Sequence, residues 1–184
     1  LVAPLDDIRA AVGDDVVIIE DAAHALGAYT AAGPAGNCAH ADMAVFSFHP
    51  VKPITSGEGG IVTTRDPELH RRLVEFRTHG MTKDPDRLRR KDQGRWYMEQ
   101  QALGFNYRLS NLLAALGVGQ LEGLRDNIGR RAVIEQRYRT ELGSLPGVDL
   151  PAPPRDGTAN HWLSVVTIDT ERFGAGPEDV RLAL

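Results

Sequence analysis

Val16-Val17-Ile18-Ile19-Glu20-Asp21-Ala22-Ala23-His24-Ala25 is the run on which the fold assignment turns. Four consecutive β-favouring apolar residues with no polar alternation describe a strand buried on both faces, as in a parallel sheet. Two carboxylates and a run of small residues follow at the strand's C-terminal end. In open α/β sheets that end is where ligands bind. Asp21 suits two roles, the N-cap of a helix or the partner of a cationic ring nitrogen. His24, one helical turn later, is either a satisfied, half-buried imidazole or a second contact to the same ligand.

Working outward, Ser47-Phe48-His49-Pro50-Val51-Lys52-Pro53-Ile54-Thr55-Ser56-Gly57-Glu58-Gly59-Gly60 lies between two more strand-like segments, residues 44–48 and 60–64. Pro50 and Pro53 fix their own φ and push the preceding residues toward extended geometry. The glycine cluster permits a close backbone approach. A lysine held on such a turn suits imine chemistry, because a desolvated or cation-flanked amine is a nucleophile. Read singly, Lys52 is equally a solvated charge and GEGG a hairpin turn. The spacing of Asp21, Ser47 and Lys52 favours the functional reading.

Three motifs in order, Glu20-Asp21-Ala22-Ala23-His24, Ser47-Phe48-His49-Pro50-Val51-Lys52 with Gly57-Glu58-Gly59-Gly60, and Gly104-Phe105-Asn106-Tyr107-Arg108-Leu109-Ser110, closely resemble the DegT/DnrJ/EryC1/StrS aminotransferases. The wording around Lys52, together with Arg77-Thr78-His79-Gly80, is most similar to the pseudaminic-acid-pathway 4-aminotransferases acting on UDP-sugars. The resemblance runs from about residue 15 to 145 and more weakly beyond. It implies an α/β chain: part of the large domain of a fold-type I pyridoxal-phosphate-dependent transferase, a mainly parallel sheet flanked by helices. The start of a small α+β C-terminal domain would follow.

By this resemblance the chain would move an amino group from an amino acid, glutamate by family habit, to a 4-keto-6-deoxy nucleotide sugar. Lys52 would carry the cofactor and shuttle protons. Asp21 would hold the pyridine nitrogen protonated, His24 would contact or flank the ring, and Ser47 would donate to the phosphate. Asn106 would reach the phosphate of a neighbouring subunit's site, which makes a homodimer with shared active sites the expected assembly. Ser47 could equally be a polar strand end, and Asn106 a turn or cap before the helix that follows Ser110. The family also contains sugar dehydratases, in which a histidine resembles a replacement for the lysine. Lys52 argues against that branch. A non-catalytic α/β binding module is the third reading.

Composition narrows the partners. A net charge of −4 over 184 residues argues against non-specific nucleic-acid binding. A single cysteine, Cys38, cannot build a disulfide framework and fits a reducing cytoplasm. No apolar run approaches the ~18 residues a membrane span needs. Leu1 in place of Met, and a helical pattern still running at Leu184, suggest the middle of a longer chain. Cys38, His40 and Asp42 cluster in sequence but match no standard zinc spacing, so no metal is expected.

Punctuation sets the remaining expectations. Helices are predicted over residues 5–12, 67–76 (capped by Asp66 with Pro67 at its first position) and onward from Leu109. A helical start at residues 22–26 is cut off by Gly33-Pro34-Ala35-Gly36. Residues 78–101 lack apolar periodicity and read as a long irregular loop. Its arginines between 87 and 95 form either a solvated face or a diphosphate contact. Gly123 and Gly129 weaken the join to a second helix over about 130–142. The first unit is expected to span 1–145. The second, 146–184, opens with a Pro-rich linker at 146–154 and a β-rich run at 162–168.

Overall fold

The computed structural model describes residues 2–184. From the N-terminus, α1 (Leu5–Val12) leads to β1 (Ile19–Asp21), a small hairpin of β2 (Tyr29–Thr30) and β3 (Gly33–Pro34), then β4 (Met43–Ser47) and β5 (Gly60–Thr63). Strands β1, β4 and β5 form one sheet in that order. β1 runs parallel to β4, with Asp21 opposite Val45, and β5 returns antiparallel to β4, with Ser47 opposite Gly60. The sheet therefore combines one parallel and one antiparallel pairing, and the Lys52 segment is the connection between β4 and β5.

β1 differs from its expected form. It begins at Ile19 rather than Val16, and Val17 and Ile19 are 66% and 58% exposed rather than buried on both faces. Side chains explain the late start. Arg9 Nη1 donates to the Val16 carbonyl at 2.7 Å, and the Ile18 N–H donates to Asp42 Oδ2 at 2.7 Å. Backbone groups that a ladder would have used are already satisfied. Asp42 also pairs with Arg9 at 2.9 Å. Those N–H and guanidinium donors hold its carboxyl below the usual range.

The core is built from small residues. Ala22, Cys38, Ala44 and Phe46 form its buried cluster, with Ala25, Leu26 and Phe48 packed against it. Alternation along β4 sends Ala44 and Phe46 inward. Gly36, at φ 78°, lies against the Phe46 ring where any Cβ would overlap it. The predicted helical start at residues 22–26 is instead a pair of tight turns, Ala25 N to Ala22 O and Ala28 N to Ala25 O, both at 2.9 Å. Gly27, at φ 82°, then redirects the chain into β2.

Beyond the sheet, α2 (Pro67–Phe76) has the predicted bounds, with the Asp66 side chain accepting from the Glu68 and Leu69 N–H groups. The expected loop at 78–101 carries its own closure: β6 (Met81–Thr82) pairs antiparallel with β7 (Glu99–Gln100). Ser110 caps α3 (Asn111–Glu122), and Gly123 separates it from α4 (Leu124–Leu142). Gly129 sits inside α4 with nothing crowding it, so the break falls at Gly123 alone and the second helix starts earlier than expected. The presumed linker at 146–154 contains a strand, β8 (Val148–Asp149), paired with β9 (Thr167–Ile168). Of the β-rich run at 162–168, only that final pair is strand, because the segment before it is committed elsewhere. Two short helices, α5 (Thr170–Phe173) and α6 (Pro177–Ala183), complete the described chain. Among the described residues no helix is long and apolar enough to cross a membrane.

Candidate active site

Register places the acidic residue. Cα partners in a parallel pair share a face, so Asp21 lies on the same side of the sheet as Val45 and, one pleat further, Ser47. Glu20 lies on the opposite side with Ala44. Asp21 is exposed, its Oδ1 accepts the Ala23 N–H at 3.1 Å, and no ion pair engages it among the described residues. It caps a turn, not a helix, and retains acceptor capacity for a cation. Ser47 Oγ accepts the His49 N–H at 3.3 Å, which leaves its hydroxyl hydrogen free to donate.

Lys52 is half-buried on a connection that local polar contacts hold in shape. Lys52 N donates to His49 O at 3.0 Å, Thr55 Oγ1 and Ser56 N both donate to Phe48 O at 3.0 and 3.1 Å, and Ser56 Oγ donates to Glu58 O at 2.8 Å. Ile54 and Ser56 beneath it are buried to 1% and 0% exposure. The lysine Nζ lies 4.6 Å from the centroid of the Trp162 ring. The His24 ring lies 3.9 Å from the same indole, tilted by 31°. The imidazole and the ammonium thus both contact one indole, supplied from the C-terminal segment.

That segment is tied down on both sides. Asn160, 6% exposed, donates through Nδ2 to the carbonyls of His24 (2.7 Å) and Leu26 (3.0 Å) and accepts the Trp162 N–H at 3.2 Å. Trp162 Nε1 donates to the Val51 carbonyl at 2.7 Å. Asp21, His24, His161 and Trp162 line a cleft of about 740 Å³, together with Arg139 and the buried Glu135. Glu135 is satisfied by Ser164 Oγ at 2.7 Å and Arg139 at 2.9 Å. Glu20, behind β1, is raised above the ordinary carboxylate range by burial, with the Gly36 N–H at 3.1 Å partly opposing.

Of the sequence-predicted residues, Lys52 and His24 both contact Trp162, and Asp21 and Ser47 share a sheet face; Asp21 and His24 line the cleft, whereas Lys52 and Ser47 are not among its lining residues. Asn106 stands apart. It is exposed, and its backbone bridges Thr78 where the third motif runs alongside the end of α2. Among the described residues no group of three or more His, Cys, Asp or Glu side chains is placed to hold a metal. Cys38 Sγ instead contacts the Thr63 carbonyl at 3.4 Å. Trp162 and Asn160 were not singled out from sequence. Trp162 opens the run expected to be β-rich, and no local pattern marks either residue as part of a site.

The family model for the DegT/DnrJ/EryC1/StrS aminotransferase family matches residues 2–181. The chain belongs to that family. It is 40% identical over 132 residues to a UDP-4-amino-4,6-dideoxy-N-acetyl-beta-L-altrosamine transaminase of Campylobacter jejuni, covering 72% of this chain and 32% of that protein. It is 35% identical over 167 residues to the spore coat polysaccharide biosynthesis protein SpsC of Bacillus subtilis, covering 91% and 42%. Among solved structures, Helicobacter pylori PseC, an aminotransferase involved in the biosynthesis of pseudoaminic acid, superposes with a TM-score of 0.81 at 27% identity. That match covers 92% of this chain and 43% of PseC. This member of the DegT/DnrJ/EryC1/StrS family therefore spans 32% to 43% of the length of these relatives.

Proposed function

We propose that the protein is a pyridoxal-phosphate-dependent aminotransferase that moves an amino group from an amino-acid donor, glutamate foremost, to a UDP-linked 4-keto-6-deoxy sugar. It would work in the cytoplasm as a homodimer with shared sites. The observation that carries this reading is that Lys52 and His24 both contact the Trp162 indole, while Asp21, three residues before His24, shares a sheet face with Ser47. The donor set fits the cofactor: an amine, an unpaired carboxylate, an imidazole and a hydroxyl with a free hydrogen match an aldehyde, a protonatable ring nitrogen, a flat ring and a phosphate.

Pyridoxal phosphate bound there would supply an electron sink for the carbanion left when the donor's α-proton departs. Asp21, as a carboxylate, would accept the ring N–H and keep that proton in place. His24 would lie against the ring or its phenolic oxygen, and Ser47 would donate to a phosphate oxygen. Lys52 Nζ would hold the cofactor's aldehyde carbon and would carry a proton between the donor's α-carbon and that aldehyde carbon, two atoms along. A flanking aromatic wall at Trp162 would keep water from that proton. Asn106, exposed and remote in contacts from this group, would serve the partner subunit's site.

The test uses the full-length protein with pyridoxal phosphate, glutamate and a UDP-4-keto-6-deoxy-N-acetylhexosamine. Expected are 2-oxoglutarate and an aminated sugar in equal amounts. The protein should be yellow, absorbing near the edge of the visible range, and lose that band on borohydride treatment. Absence of both the band and amino transfer to any 4-keto nucleotide sugar would remove the assignment.

A further inference from the structure

We infer that Trp162 is a positioning residue for the Lys52 amine, and that residues 160–162 set the aim of that amine toward the Asp21–His24 turn. The inference rests on the aminotransferase reading for its purpose, but its geometry stands independently.

Two contacts act on the lysine from one side chain. The indole face receives the ammonium at 4.6 Å from its centroid, within the range in which a ring quadrupole attracts a cation. The indole N–H donates to the carbonyl of Val51, the residue immediately before Lys52, at 2.7 Å. The first contact restrains the end of the side chain and the second restrains its backbone root. Lysine alone, with four rotatable carbons, would sample many directions.

The indole is itself held. Asn160 Oδ1 takes the Trp162 N–H while its Nδ2 grips His24 O and Leu26 O, so one buried amide connects the tryptophan to the turn that carries His24. His161 between them sits at φ 48°, a left-handed backbone that a side-chain-bearing residue adopts only when its surroundings demand it. That bend lets Asn160 and Trp162 face the same turn. The His24 ring, 3.9 Å away, closes the arrangement. Lys52 and His24, far apart in sequence, therefore both contact one ring whose position is fixed by Asn160.

The experiment compares wild type, Trp162→Ala, Trp162→Leu and Trp162→Phe in the full-length protein. Without added cofactor, each is reductively methylated with formaldehyde and cyanoborohydride, and Lys52 labelling is read by peptide mass spectrometry against Lys83 and Lys91, both exposed. Loss of the ring in the Ala and Leu variants should raise Lys52 labelling relative to the two references by about threefold. The Phe variant, which keeps an aromatic face, should stay close to wild type. With pyridoxal phosphate added, borohydride-trapped adduct at Lys52 should fall in the Ala and Leu variants and recover in the Phe variant. Trp162→Leu keeps an apolar filler, so it decides the matter should Trp162→Ala fail to fold. Equal Lys52 labelling in wild type and Trp162→Leu would overturn the inference. Failure of wild type itself to trap any cofactor would instead strike the aminotransferase reading, leaving the labelling comparison to judge Trp162.

Discussion

Two hairpin connections in this chain close by different physics. The β4–β5 connection, which carries Lys52, is held by backbone carbonyls, hydroxyls and prolines within its own length, over a buried Ile54 and Ser56. The β6–β7 connection is held by ionised carboxylates, one on α2 and one on β7 itself. Glu75 on α2 pairs with Arg87, Glu99 on β7 accepts the N–H groups of Arg89 and Arg90 at 2.9 Å each, and Gln101 donates to Arg87 O at 2.5 Å. The first kind of closure survives salt and acid. The second depends on ionised carboxylates and is screened more readily. A rigid support suits a residue that must aim an amine, whereas a charge-latched loop can open.

Replacing the lysine is the sharpest way to test the functional half of this contrast. Lys52→Ala should leave the thermal midpoint within a degree or two of wild type, since the connection's closure does not involve the side chain. Amino transfer should fall by at least about 10³-fold, the loss expected when an acid–base and anchoring group is removed. A glutamate-coupled assay and a melting curve on the same sample decide it. Retention of a tenth of the activity would dissolve the distinction between the two connections.

On the other connection the largest structural effect should come from Gly80. It sits at φ 69° and packs so tightly on the Ala102 carbonyl that an added Cβ would overlap it. Gly80→Ala should destabilise by about 2–3 kcal/mol, combining backbone strain with displacement of the chain that leaves β7. Denaturant unfolding measures this. A smaller cost, about 1–2 kcal/mol, is expected of Glu75→Gln, which leaves the partly buried Arg87 guanidinium without its anionic partner. The activity of Glu75→Gln at saturating substrate should be close to wild type if the loop only stabilises. A raised KM for the nucleotide sugar with unchanged kcat would show that the loop's arginines meet the diphosphate.

How far each connection was legible follows from the same contrast. Pro50, Pro53, Thr55, Ser56 and the glycines announce their conformations locally, so the strands on either side and the lysine turn could be read directly. Asp66-Pro67 and Ser110 marked helix starts for the same reason. The turn at 22–26 misread as helix because small residues with a preceding Asp fit a helix start as well as a tight turn, and Gly27 decided between them. The sequence carries no local trace of Trp162 meeting Val51 across 111 positions, or of Asn160 holding His24 across 136. Such long-range contacts, like the Arg9 and Asp42 side chains that shorten β1, belong to the fold alone. Asp21, His24, Ser47 and Lys52 were named from motif and spacing, while the aromatic surface joining two of them had to be seen.

The finest test of the contrast is acid. The N–H groups of Arg89 and Arg90 hold the Glu99 carboxyl at about 2, well below its ordinary 4.5. With the folded value depressed, the latch contributes fully above pH 4.5 and is lost as pH falls from there through about 2, because protonation of the unlatched carboxyl becomes favourable first. The protection of the Arg89 and Arg90 amides, measured against their intrinsic exchange rates at each pH, should therefore fall across that window in wild type. Glu99→Gln offers one acceptor oxygen where the carboxylate offers two, so one of the two amides should be unprotected already at neutral pH, and the protection of neither should change as pH drops. The amides of Lys52 and Ser56 should show no such transition in either protein, since their acceptors, His49 O and Phe48 O, do not titrate. A shared acid transition at Lys52 and Arg89 would mean that the two connections open together. The aim of the lysine would then depend on the latch of the arginine loop.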